Sequence, residues 1–292
     1  MEKAYIVAAR RTAIGSFGGA LKDVPAPRLA AKTIETVLTD AGVAADRVDE
    51  VIVGTILTAG QGMGPGRQAA IYAGVPVETP GYAVNMLCGS GMKSIMLAAD
   101  SIRLGRAQVI AACGAESMSK APYLVPSTTR FGSKFGNMEL LDHLIVDGLT
   151  DVFNNYHMGG TAENVARKHG ITRPRQDEFA AESQRKATTA IASGHFQREI
   201  VPVEVKVNRE TIEFRVDEYP REGTTAESLG KLRPAFLPDG TVTAGNSSGV
   251  NDGASAVLVA SERAVNAMKL TPRAEILGYS QAAVEPSCMG LG

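Results

Sequence analysis

Residues 107–113 and 255–260 are almost continuously apolar, and residues 4–9 and 48–57 are short runs rich in Ala, Val and Ile. A strand with one wet face alternates apolar and polar residues. Runs of this kind belong instead to strands covered on both faces. Between them the period changes. Pro27 opens a stretch in which Leu29, Thr33, Val37 and Ala41 share one helical face, and Gly42 stops it; Met92, Ile95, Met96, Ala99 and Ile102 repeat the pattern further on. Buried strand, amphipathic helix and buried strand in succession predict an α/β fold with a largely parallel sheet covered by helices. The 292 residues, 44% of them hydrophobic, supply enough apolar surface for a sizeable core.

Charge and cysteine usage narrow the function. Thirty Lys and Arg against 31 Asp and Glu leave a net charge of −1, so no whole-molecule field recruits nucleic acid or an anionic membrane. An anionic ligand has to be held locally. The start Met-Glu-Lys-Ala-Tyr-Ile-Val lacks the basic and long apolar regions of a signal peptide, and no apolar run is long enough to span a bilayer. The expectation is a soluble cytoplasmic protein. Cys88, Cys113 and Cys288 show no metal-ligand or disulfide spacing, and His143, His157, His169 and His195 are too dispersed for a metal site. No metal is expected.

Composition shifts after Ser119. Through Gly249 the chain carries loops, two helical patterns (161–168 and 174–193) and two alternating strands, Val201/Val203/Val205/Val207 and Ile212/Phe214/Val216. That stretch reads as an inserted domain. Buried-strand character returns at 255–260, followed by a helix over 261–268 and a strand start at 274–279. The glycines of 60–66 do not follow GxGxxG and precede no Lys-Ser/Thr pair, so they read as a connection or subunit contact rather than a nucleotide loop.

The chemistry concentrates at Cys88. It lies where a strand-like segment turns into a helix, with Gly89 and Gly91 close behind. The positive end of a helix dipole favours a thiolate over a thiol. Glycines there would let a carbonyl approach the backbone, whose amides would serve as an oxyanion hole. The alternative is a small buried hydrophobe, the usual state of a free cysteine.

Segment 85–95, Asn-Met-Leu-Cys-Gly-Ser-Gly-Met-Lys-Ser-Ile, resembles the nucleophile segment of the thiolases, specifically the short-chain acetyl-CoA acetyltransferases. Four other segments resemble thiolase motifs in the same order: 10–19 the opening loop, 151–164 the pantetheine-side loop, and 231–236 with 241–253 the coenzyme-binding and sheet-return segments. The resemblance implies a thiolase-like layered αβαβα fold, with residues 1–118 and 250–272 as the N-terminal half, 119–249 as an inserted CoA-binding loop domain and 273–292 as the start of a C-terminal half. It implies Cys88 as nucleophile in reversible condensation of two acetyl-CoA to acetoacetyl-CoA and CoA through an acetyl-cysteine. Both directions are ping-pong, as covalent catalysis requires.

Coenzyme contacts carry over position by position: His157 and Met158 beside the reacting end of CoA, Arg221, Ser228 and Ser248 as polar contacts, and Leu149, Leu232, Ala235, Phe236 and Ala244 as an apolar wall. Met289 matches a residue lining the acyl pocket. Cys113 and Cys288 keep structural readings. The implied partners are acetyl-CoA, acetoacetyl-CoA and CoA as substrates, with no permanently bound cofactor, and a homodimer or homotetramer. The family also uses a second cysteine in a glycine-rich turn, a His-Pro-x-Gly histidine and an Asn-Glu-Ala-Phe asparagine. None of these motifs occurs in the 292 residues. The expectation is therefore a chain that stops one strand into the C-terminal half, with a CoA-binding protein that does not turn over on its own as the alternative.

Overall fold

A computed structural model describes residues 2–207 and 209–292. Contacts divide them into two units, one comprising the chain up to Pro122 with Gln197–Glu218 and Asn251–Tyr279, the other Tyr123–Phe196, Tyr219–Val250 and Ser280–Gly292.

The first unit is built on one sheet. Its main strands run in the order Ile200–Val201, Ala4–Thr12, Asn251–Ser261, Val109–Ser117, Glu50–Gly54, Gly81–Val84. Neighbours are parallel except at Asn251–Ser261, which is antiparallel to both strands beside it. The expected largely parallel sheet is thus corrected to a mixed one. The physical reason is that Asn251–Ser261 re-enters after a long excursion, so no crossover helix fixes its direction. It sits centrally, paired from Asp252↔Ser117 to Ala260↔Val109 on one side and from Ala4↔Ser261 to Arg11↔Ser255 on the other.

Period-two alternation sorts the buried side chains between two layers of helix. Val51, Val53, Ala111, Cys113 and Leu258 belong to the cluster containing Leu29, Ile34 and Val37 of helix α1 (Ala26–Ala41). Ile52, Ile110, Ala112 and Val259 belong to the cluster containing Ala98, Ala99 and Ile102 of helix α3 (Ser90–Arg103). Each fully buried aliphatic side chain contributes about 1.5–3 kcal/mol. Helix α1 ends as its sequence dictates: Gly42 takes the left-handed conformation (φ 65°), and its N–H and that of Val43 return to Thr39 O and Leu38 O. Helix α2 (Pro65–Tyr72) begins at a proline, and α7 (Glu262–Met268) is capped by Ser261, whose hydroxyl accepts from Ala264 N.

Residues 197–218 group with this first unit, although the sequence reading placed them inside the 119–249 insertion. Val203, Val205 and Phe214, from the alternating strands Val203–Val207 and Glu210–Phe214, bury their apolar face in the α1 cluster. Arg11 adds a two-toothed contact to Asp217 at 2.7 and 3.0 Å.

The second unit is helical and loop-rich. Helix α4 (Met158–His169) is followed by α5 (Arg173–Ala192) and the short α6 (Ala226–Gly230). The turn Pro286–Leu291 is held beside α4 by Asn164, whose Nδ2 donates to Ser287 O at 3.0 Å. Among the described residues no helix is long and apolar enough to cross a membrane.

Candidate active site

Cys88 lies exposed in the first unit, between strand Gly81–Val84 and α3. The turn that presents it is made by its own neighbours. Asn85 Oδ1 accepts from Leu87 N at 2.9 Å, and Leu87 takes φ 48°, rare for a side chain with a Cβ. Ser90 is buried; its hydroxyl accepts from Met86 N and donates to Leu87 O, pinning the loop to the helix start. Strained backbone held in this way is typical of functional turns.

The glycines do something other than expected. The Gly89 and Ser90 amides donate to Met86 O and Leu87 O, so these two are engaged by the turn itself and are not open oxyanion donors. Gly91 faces Gly114: a Cβ on Gly114 would stand 3.1 Å from Gly91 Cα. A Cβ on Gly54 would stand 2.3 Å from the Ser90 carbonyl carbon. Glycines on two strands and on the helix therefore let α3 press its first turn against the sheet, which fixes the level at which Cys88 emerges. The other two cysteines are shielded. Burial pushes the Cys113 thiol up to about 12, against a contact with Thr33 Oγ1 at 3.8 Å. Cys288 is buried beside Lys168 Nζ at 3.9 Å.

The remaining candidates all lie in the second unit. His157 caps α4: its Nδ1 accepts from Gly159 N at 3.0 Å, which leaves the proton of the neutral ring on Nε2. Partial burial holds its pKa below the ordinary histidine value. Phe236 stacks on this ring with centroids 4.8 Å apart and planes at 17°. The stack needs Gly159, where a Cβ would fall 2.2 Å from the Phe236 ring. Met158 begins the helix, and Leu149 precedes the Thr150–Asp151 strand that pairs with Tyr156–His157. Thus His157 and Phe236 meet directly, Met158 follows His157 in the chain, and Leu149 stands one residue before the strand partner of His157.

Leu232, Ala235, Ala244, Ser248, Ser228 and Arg221 are exposed on the same unit, and Met289 is half-buried in the turn beside α4. Leu229 and Leu232 close over Gly245, and Ala235 N donates to Val242 O. The Ser228 hydroxyl is occupied in a reciprocal cap with Thr225. Arg221 binds Gln184 through its main-chain N–H. Its guanidinium makes no hydrogen bond or ion pair among the described residues.

Two carboxylates escaped the sequence reading. Glu163, buried in α4, accepts from Thr241 N, Thr241 Oγ1 and Val242 N at 2.7–3.0 Å. Asp177, buried in α5, accepts from Arg173 Nε at 2.7 Å and from Asn246 Nδ2 at 3.0 Å. Together they tie the segment bearing Ala244 and Ser248 to both helices. The available signal was a Glu within the 151–164 motif and an acid on the first turns of a helix, neither distinguishable in sequence from surface charge.

A model of the thiolase N-terminal domain matches residues 4–263. Across its whole length the chain is 52% identical to an acetyl-CoA acetyltransferase of Pseudomonas aeruginosa and spans 74% of that protein. It is 48% identical to a cytosolic acetyl-CoA acetyltransferase of rat, with 98% of this chain and 72% of the relative aligned. The crystal structure of the Bacillus anthracis acetyl-CoA acetyltransferase superposes with a TM-score of 0.96 at 42% identity, covering 100% of this chain and 74% of the other. With the layered α/β unit and the cysteine turn already described, these matches show that the chain belongs to the thiolase family.

Proposed function

We propose that this chain is an acetyl-CoA C-acetyltransferase in which Cys88 carries the acetyl group. The observation that carries the reading is an exposed cysteine on a backbone-strained turn at the start of a buried helix, in a chain about half identical to acetyl-CoA acetyltransferases. In the condensing direction the Cys88 thiolate attacks the carbonyl of acetyl-CoA, CoA leaves as thiol, and the carbanion of a second acetyl-CoA takes the acetyl group. In the reverse direction the thiolate attacks the ketone carbon of acetoacetyl-CoA, the carbon–carbon bond breaks, acetyl-CoA leaves as its enolate and takes a proton, and a CoA thiol, losing its proton, accepts the acetyl group and frees the Cys88 thiolate. A thioester suits both, having an electrophilic carbonyl and comparatively acidic α protons.

In the same reading Leu149, His157, Met158 and Phe236 surround the pantetheine end, with the neutral imidazole offering Nε2–H as a donor. Leu232, Ala235, Ala244, Ser248, Ser228 and Arg221 form the coenzyme face, Met289 lines the acyl end, and CoA is a substrate rather than a resident cofactor. The protein works as a homo-oligomer in the cytoplasm. Incubation with acetyl-CoA should add one acetyl group to Cys88 by intact mass and peptide mapping, with fast loss to CoA and slow loss to water. An unlabelled Cys88, or loss to water as fast as to CoA, overturns the proposal. A second reading, coenzyme binding without turnover, is the alternative outcome of the same experiments. Binding of CoA with no thiolysis of acetoacetyl-CoA would select it.

A further inference from the structure

In the second unit, just ahead of the strand that pairs with His157, the chain winds irregularly. Residues Leu144–Leu149 form a π-helical segment, a rare winding that occurs mostly at functional sites. Side chains tie both of its ends. Asp142 Oδ1 accepts from Leu144 N at 2.9 Å, and the Thr150 hydroxyl donates to Ile145 O, five residues back, at 2.7 Å. Between these ties the His143 ring meets Asp147, with Nδ1 2.6 Å from Oδ2. The segment delivers half-buried Leu149 straight into the strand Thr150–Asp151, where Thr150 pairs with His157, the ring on which Phe236 stacks.

Energetics separate this pair from ordinary stabilisation. The His143 ring is buried, yet its Nε2 meets no partner, either as donor or as acceptor. An orphaned buried nitrogen opposes folding, and a leucine in the same place would leave nothing unpaired. Nor does the contact itself repay this, because the Asp147 side chain is 52% exposed and ion pairs open to solvent add little. What the contact does fix is the path of the chain between His143 and Asp147. We propose that His143 is a positioning residue for the coenzyme, an inference that rests on the placement of Leu149 and His157 at the pantetheine end given above. By holding Asp147 it sets the π-helical path, and that path places Leu149 and brings Thr150 beside His157. Being buried, His143 acts on the coenzyme only through Asp147 and the main chain.

The test titrates CoA by calorimetry into the full chain and its variants, with a melting curve for each. His143→Leu should weaken CoA about ten-fold while melting no lower than the parent, since the orphaned nitrogen is gone. Asp147→Ala, at an exposed position, should weaken CoA by a similar factor, and the double variant should be no worse than either single one because both cut the same contact. His143→Asn, whose Nδ2 stands where the ring Nδ1 does, should come back to within about two-fold of the parent. Unchanged affinity in His143→Leu, additive losses in the double variant, or an affinity loss that His143→Asn does not rescue overturns the positioning role. A loss of affinity matched by a lower melting temperature overturns it too, in favour of a structural one. Failure of the parent chain to bind CoA overturns the coenzyme face itself, and this inference with it.

Discussion

The Cys88 turn and the segment 229–248 are held by opposite means. Around Cys88 the fixing contacts are close packing and local turn hydrogen bonds: Gly54, Gly91 and Gly114 admit the first turn of α3 to the sheet, and Asn85 Oδ1 and the buried Ser90 hydroxyl tie the loop. Around 229–248 the fixing contacts are ionic and polar, with Glu163 and Asp177 reaching from two helices to main-chain amides and to Asn246. The first arrangement allows almost no displacement, because close packing is lost over fractions of an ångström. The second tolerates small shifts as long as its hydrogen bonds survive.

This contrast sets the order of expected effects. Cys88→Ser should abolish acetyl-enzyme formation in the mass assay without altering the melting curve, and a retained acetyl group would remove Cys88 from the mechanism. Gly54→Ala should be next, costing about 2–3 kcal/mol through overpacking against Ser90, measured by urea unfolding. A neutral result would mean that the helix start can move, and the rigidity assigned to the turn would fall.

Glu163→Ala should cost about 2 kcal/mol, since several buried donors lose a charged acceptor, and should weaken CoA binding about ten-fold by calorimetry. Glu163→Gln, which keeps an acceptor for the Thr241 and Val242 amides, should recover most of the affinity. If Gln is as poor as Ala, the negative charge rather than the hydrogen bonding matters.

A smaller effect concerns acid. Because the folded pKa of His157 lies below its unfolded value near 6.5, the neutral cap contributes stability that is present above that value and lost as pH falls through the lower folded pKa. His157→Asn retains a capping side chain that does not titrate, so its melting temperature should decline less than the parent's between neutral pH and the carboxylate range. Identical slopes would show that His157 is not the titrating cap. The smallest change is Leu232→Ala, at an exposed position, which should alter stability by no more than about 0.5 kcal/mol while weakening CoA binding.

Much of this was legible from residue order. Leu29, Thr33 and Val37 predict the buried face of α1, Gly42 predicts its end, and the runs at 107–113 and 255–260 predict strands covered on both sides; all are found. The direction of Asn251–Ser261 was not legible, because apolar runs look the same in parallel and antiparallel pairings. Nor was the allegiance of 197–218: alternation in Val203 and Val205 says that one face is buried and not against what. At the site, Cys88 announced itself through its glycines, but their neighbours were not legible: a Cβ on Gly89 would fall 2.7 Å from Met86 of the same turn, and Gly91 faces Gly114 of the sheet.

The sequence by itself determined the elements, the nucleophile candidate and the family, because periodicity, capping residues and long ordered motifs are local properties. Only the tertiary structure decided what Gly54 and Gly114 press against, that the Gly89 and Ser90 amides are already engaged, and that Glu163 and Asp177 anchor the segment 241–246. The glycine contacts and the two carboxylate anchors depend on partners far away in the chain, at distances that only folding sets, whereas the two amides are taken by acceptors three residues back once the turn has formed.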